Sequence, residues 1–204
     1  MNRREFIAAA AALLGSAVSA SAFARASKKV TVVEIAALTC PVCQKMMEAS
    51  EGLSQQLAVR GVQYSFAPIA ASTPEQVFGP LAYYAARAQG DRVANRVKRS
   101  LFDAYVTNGL QLTSPTQVIE WLQSDIGIST PIDYKSIYQE SHSPDAQNAL
   151  GRAYRLVQLS GAVDLPSFII VAAQRVSEVI SPNGRAASDQ INSLLTTVSR
   201  YTKE

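Results

Sequence analysis

Val30-Thr31-Val32-Val33-Glu34-Ile35-Ala36-Ala37-Leu38-Thr39-Cys40-Pro41-Val42-Cys43 is the stretch that decides how this chain folds. Its β-branched first half suits a buried central strand, and its second half turns sharply into a helix. Pro41 fits the first helical position, where a missing N–H costs nothing. Val42, Met46, Ala49, Leu53 and Leu57 then recur at helical spacing on one face, with Gly61 as the stop. From Val62 the period becomes two, and Pro68 is expected to end that strand. The unit is strand, helix, strand, a right-handed crossover if the strands run parallel.

Outward from this unit, the period is helical from about Thr73 to Gly161. Val93, Val97, Leu101 and Tyr105 form one stripe, ended by Asn108-Gly109. Ser114-Pro115-Thr116-Gln117 and Ser143-Pro144-Asp145 carry helix-start signals, and Gly161 is a stop. Strand character returns at Phe168–Val171 and Arg175–Ile180, and Ile191, Leu194, Leu195 and Val198 give a last amphipathic helix. The order is βαβ, helices, ββα.

At the other end, Arg3-Arg4, the apolar run Phe6–Ala20 and the small residues Ala22-Phe23-Ala24 read as a signal peptide over residues 1–24. The run is shorter than the roughly 20 residues a bilayer-spanning helix needs. Asn2-Arg3-Arg4-Glu5-Phe6 is also similar to a twin-arginine export signal, with Asn2 where Ser or Thr is usual. The expected location is the periplasm, with the mature protein soluble there. The 19 basic and 16 acidic residues are scattered, so no polybasic run points to nucleic acid or an anionic membrane.

The chain has two cysteines, Cys40 and Cys43. A bridge between them closes too small a loop to restrain the unfolded chain much, which argues against a structural staple. A zinc site needs about two more Cys or His ligands, and His142 is the only histidine, so no metal is expected. Dithiol redox chemistry remains. At a helix start, unpaired N–H groups and the helix dipole stabilise a thiolate, which makes Cys40 the attacking thiol. Cys43, one turn further in, suits the resolving role. Pro41 and Val42 tune the pair, and Val42 offers the thiolate neither a hydrogen bond nor charge, so a weaker oxidant is expected than with His there.

The segment Val32–Cys43 resembles the active-site region of the DsbA family of periplasmic thiol:disulfide oxidoreductases, whose pattern is V-x-E-F followed by C-P-x-C. The resemblance implies an α/β fold, a thioredoxin-like domain (25–72 and 162–204) interrupted by a helical insertion domain (73–161). It implies that Leu165 and Pro166, in Val163-Asp164-Leu165-Pro166-Ser167-Phe168, form a substrate-binding loop with Pro166 cis. Composition alone favours a trans proline opening a strand. It also implies that Glu34 is a buried acid relaying the Cys43 proton, where the residues alone allow a strand-end carboxylate reaching water. Trp121, Tyr83 and Tyr84 are expected in the core, and His142 in a helix–helix loop with no partner to name.

The family's activity implies exported substrate proteins with cysteines, a membrane redox partner of the DsbB type, and no cofactor. The segment Arg25–Thr39 leaves little room for an extra N-terminal strand. Two alternatives stay open: a reductase or isomerase kept reduced by a membrane electron donor, and a redox-independent binding or chaperone module.

Overall fold

The computed structural model describes residues 30–70, 74–127 and 131–202; the signal segment lies outside these. Four strands form one sheet in the order β2-β1-β3-β4, built from β1 (Thr31–Ala37), β2 (Gln63–Ile69), β3 (Ser167–Ala172) and β4 (Arg175–Ile180). β1 runs parallel to β2 and antiparallel to β3, and β3 runs antiparallel to β4. The apolar run Val30–Ala37 lies at the centre because that position buries both faces of a strand.

Between β1 and β2 the chain makes two helices instead of one, α1 (Pro41–Ala49) and α2 (Leu53–Ala58). The break falls where Gly52 takes a left-handed conformation (φ 81°) and Ser50 turns its hydroxyl back onto the Met47 carbonyl at 3.1 Å. The inward face of α1 is Cys43, Met46 and Met47, that of α2 is Leu53 and Leu57, and Val42 and Ala49 face solvent. Pro68 does not end β2. It pairs with Ala36 inside the strand, which is possible because β2 is an edge and its outer side needs no donor.

Between β2 and β3 lie α3 (Phe78–Arg87), α4 (Asp91–Phe102), α5 (Pro115–Ile126), α6 (Tyr134–Ser141) and α7 (Pro144–Ser160). Ser114 and Ser143 cap α5 and α7 by accepting from the backbone N–H of Gln117 and Ala146, both at 3.3 Å. The stripe through α4 does not continue as one α-helix to Asn108. At Asp103 it widens into a π turn, Asp103–Thr107, where the Asn108 N–H reaches the Asp103 carbonyl at 2.9 Å. His142 does have partners: as the C-cap of α6, its ring nitrogen Nδ1 lies 2.7 Å from the Tyr138 carbonyl and its ring leans on Tyr138. α8 (Ala187–Tyr201) closes the chain.

The α1–α2 unit and α8 cover one face of the sheet over Val32, Phe168 and Ile170, and α7 covers the other over Ile35 and Ile169. The helical layer adds its own core around Leu101, Phe102 and Leu122, and that core includes Cys43 and Leu38. This is a thioredoxin-like α/β fold with helices between its βαβ and ββα halves.

The β3–β4 hairpin turns on Ala173 and Gln174, both at positive φ (49° and 63°). Left-handed backbone costs a non-glycine residue roughly 1–2 kcal/mol, and two-residue turns of this hand favour Asn-Gly. Replacing the pair by Asn-Gly is expected to stabilise the protein by about 1–2 kcal/mol, read from the midpoint of urea unfolding; an unchanged midpoint would contradict the strain.

Candidate active site

Cys40 stands where β1 ends and α1 begins. After Ala37 the chain turns tightly, with the Cys40 N–H bonding the Ala37 carbonyl at 3.1 Å, and Cys40 becomes the N-cap of α1. Its Sγ accepts from the Cys43 N–H at 3.3 Å, the place a Ser or Asp oxygen takes in an ordinary cap. Pro41 follows at the first helical position.

The two thiols are free and differ in setting. Cys40 is half-buried and Cys43 is fully buried. The Cys43 thiol donates toward Cys40, and the N–H groups of Cys43 and Val42 add to it, so the Cys40 thiol is lowered to about 6 against partial burial, which works the other way. The Cys43 thiol is pushed up, first by that same interaction, then by burial and by the negative charges of Cys40 and Glu34. At neutral pH the half-buried Cys40 favours the thiolate and the buried Cys43 the thiol. Such a pair can attack a disulfide through Cys40 and resolve the product through Cys43.

The loop ahead of β3 arrives at the same end of the sheet, because Ser167 pairs with Ile35 two residues before the end of β1. The Leu165–Pro166 peptide is cis. Pro166 is buried, Leu165 is partly buried, and Leu165 packs on the same cluster as Cys40 and Cys43. Val42 (50 % exposed) and Val163 (87 % exposed) place apolar surface on the motif and on this loop.

The loop's anchor is a residue that the sequence reading missed. Gln190, on the first turn of α8, is buried and donates from Nε2 to the carbonyls of Pro166 (2.9 Å) and Ile180 (3.2 Å). Ser167 adds a bond from Oγ to the Asp164 carbonyl at 2.6 Å. A glutamine among polar helix residues gives no sequence signal of this kind. Gln44, beside Cys43, likewise reaches across to the π turn, donating to Thr107 Oγ1 at 2.9 Å and approaching Asp103 Oδ1 at 3.4 Å.

Glu34 is buried on β1 between Phe66 and Phe168. Tyr64 donates a hydrogen bond to Oε2, while Oε1 has no hydrogen-bond partner among the described residues. Burial raises the carboxyl's pKa, and the Tyr64 bond and the Lys98 charge oppose that rise. The ammonium of Lys98 on α4 lies 4.9 Å from the Phe66 ring centroid. Trp121 and the tyrosines belong to the packing: the Trp121 indole donates to the Ser100 carbonyl at 2.9 Å, Tyr83 is buried, and Tyr84 donates to the Pro68 carbonyl at 3.1 Å. No group of three or more Cys, His, Asp or Glu that could hold a metal occurs among the described residues.

No family model matches the sequence, and no curated protein matches it. DsbA of Pseudomonas aeruginosa superposes with a TM-score of 0.69 at 14% identity, covering 87% of this chain and 88% of that one. The chain has the DsbA fold. DsbA of Xylella fastidiosa gives a TM-score of 0.64 at 19% identity over 85% and 87% of the two chains, and reduced DsbA1 of Neisseria meningitidis 0.63 at 18% over 88% and 89%. With the DsbA fold, the Cys-Pro-Val-Cys pair sits at the start of α1, and the helical layer between β2 and β3 is the counterpart of the inserted helices.

The reduced protein is expected to react with iodoacetamide at Cys40 alone, with a rate that rises through a midpoint of about pH 6 and then levels. Mass mapping that finds Cys43 alkylated first would reverse the assignment. Because ionisation falls from 9.0 unfolded to about 6 folded, the thiolate adds stability to the reduced form as pH rises from 6 to 9, and that stability is lost as pH falls through 6. Reduced Cys40→Ser protein should lack this slope. Gln190→Leu, which leaves two buried carbonyls unpaired, is expected to cost about 2 kcal/mol in urea unfolding.

Proposed function

We propose that this protein is an exported thiol:disulfide oxidoreductase that introduces disulfides into proteins of the periplasm. The observation that carries the reading is the asymmetry of the pair, an accessible Cys40 thiolate capping α1 beside a buried Cys43 thiol. A substrate thiolate attacks Cys40 of the disulfide form, and Cys43 leaves and takes up a proton. A second substrate thiol then resolves the mixed disulfide, releasing Cys40 as thiolate and the substrate as disulfide. Two electrons pass from substrate to the pair, and a membrane partner of the DsbB type removes them. The segment Leu165–Pro166, whose Leu165 packs on the same cluster as Cys40, is the loop that receives the substrate backbone, and the exposed Val42 and Val163 offer it apolar contact. Glu34 is the group that exchanges the Cys43 proton, its charge being felt at that thiol.

The arginine-bearing N-terminal segment supports export, and no helix among the described residues is long and apolar enough to cross a membrane.

A second reading, a reductase or isomerase, is favoured by Val42. With no donor from that side chain, Cys40 ionises at about 6, nearer thioredoxin at about 7 than DsbA at about 3.5. A less stabilised thiolate makes a weaker oxidant.

The Cys40/Cys43 potential is expected between about −270 mV, thioredoxin's, and about −120 mV, DsbA's. In cells lacking their own oxidase the protein should be recovered oxidised and should restore disulfide formation, and Cys40→Ser should abolish this. A protein found wholly reduced in the periplasm, with a potential at thioredoxin's value, would turn the direction around. Full rescue with both cysteines changed to serine would replace redox function by binding.

A further inference from the structure

A cleft of about 310 Å³ opens between the α1–α2 turn, β2 and the α3–α4 pair, at the far end of α1 from Cys40. Neither cysteine nor any residue of the Pro166 loop is on its lining. Two polar side chains reach it from inside the fold: Lys98 is 9 % exposed and Tyr83 4 % exposed, and both line it. The Lys98 ammonium makes no hydrogen bond or ion pair with a described residue and lies 4.9 Å from the Phe66 ring centroid. Tyr83 packs edge-on against the same ring, centroids 5.1 Å apart. Its hydroxyl bonds no described residue and feels the charges of Arg87 and Asp91, which stand on the same lining. Phe66 thus brings two unpartnered polar groups together in one cleft.

Both groups are donors. Burial holds the Tyr83 phenol well above its ordinary range, so it keeps its proton at neutral pH, and an ammonium can only donate. A buried charge is costly unless it is paired and hydrogen-bonded. Around Lys98 the counter-charges are already engaged. Arg99 pairs with Glu51 at 3.3 Å, and exposed Arg87 and Asp91 are both felt at Tyr83, so the mouth is close to balanced. Burial lowers the Lys98 pKa, with Glu34 opposing and Arg99 adding to the fall. Glu34 is not on the lining, and its own burial favours the neutral carboxyl. The charge left over in the cleft is the Lys98 ammonium. Met47, Phe66 and Ala94, all buried, give the inner wall its apolar surface.

We infer that this cleft binds a small organic monocarboxylate, its carboxylate held by the Lys98 ammonium and the Tyr83 hydroxyl and its apolar body lying along Met47 and Ala94. One charged and one neutral donor suit the two oxygens of a carboxylate. The volume is at the small end of ligand pockets, roughly 300–1,000 Å³, which suits a molecule the size of benzoate. Asp91 and Glu51 at the mouth repel a second negative charge and so select against dicarboxylates and phosphate. The inference does not rest on the redox reading, because the thiols and the Pro166 loop lie off the lining.

The test is titration of the ¹⁵N-labelled full chain with sodium benzoate at fixed ionic strength, followed by backbone amide NMR. Saturable shifts are expected along α4, the end of α3 and β2. Lys98→Gln should weaken binding by about 30-fold and Tyr83→Phe by about tenfold, each removing a hydrogen bond to a charged group. Asn95→Trp, an exposed change that fills the cleft, should abolish it. Benzamide, the neutral counterpart, should not bind, and succinate and phosphate should bind more weakly than benzoate. Circular dichroism checks that each variant is folded. Shifts that grow linearly without saturating, shifts centred on the Pro166 loop, or wild-type binding by folded Lys98→Gln and Tyr83→Phe would overturn the site. Benzamide, succinate or phosphate binding as tightly as benzoate would overturn the monocarboxylate assignment.

Discussion

A backbone N–H from Cys43 points at the sulfur of Cys40, and the reactive centre is organised around that contact. It exists because α1 begins at Cys40, and α1 begins there because Pro41 opens the helix directly after the tight turn from β1. The turn in turn needs β1 held rigidly, which a central strand with a partner on each side supplies. Moving the helix start by one residue would take Sγ off the helix N-terminus and bring Cys43 out of the core. The opposite shifts of the two thiols come first from the Cys43 thiol donating toward Cys40, a meeting that this helix start sets up, with the backbone N–H groups adding to it at Cys40 and burial at Cys43.

The reactive pair is also tied to the helical layer. Gln44 grips the π turn of that layer, Cys43 belongs to its hydrophobic core, and the charge of Lys98 on α4 is felt at Glu34. The helices between β2 and β3 thus supply part of the electrostatic setting of the sheet's buried acid. On the opposite flank, α8 holds the loop of Pro166 through Gln190. The sulfur pair lies where three pieces of the chain meet.

Much of the architecture was legible in the sequence, because its strands and helices carry strong periodicity and clear ends: the β-branched Val30–Ile35, and the Ser-Pro starts at 114 and 143. Where the reading slipped, a local device outweighed periodicity. Gly52 broke one expected helix in two, α1 turned Cys43, Met46 and Met47 inward and left Val42 exposed, and Pro68 stayed inside an edge strand whose outer side asks for no donor. At the site, a proline after the first cysteine announces a helix start. Lys98 and Gln190 were illegible because what matters about them is what they face across more than sixty residues for one and twenty-four for the other. The isomer at Pro166 is likewise beyond composition, and resemblance alone implied it.

The order of the pieces along the chain sets the timing of assembly. Both cysteines precede the helical layer, whereas the Pro166 loop and its anchor on α8 follow it, more than a hundred residues later. During synthesis the dithiol is present long before its loop, and β1 waits for β3 with one edge unpaired. Contacts this distant in sequence form late. A truncated or stalled chain would carry the redox pair without the surface beside it, so the fold delays full activity until nearly the last helix is in place.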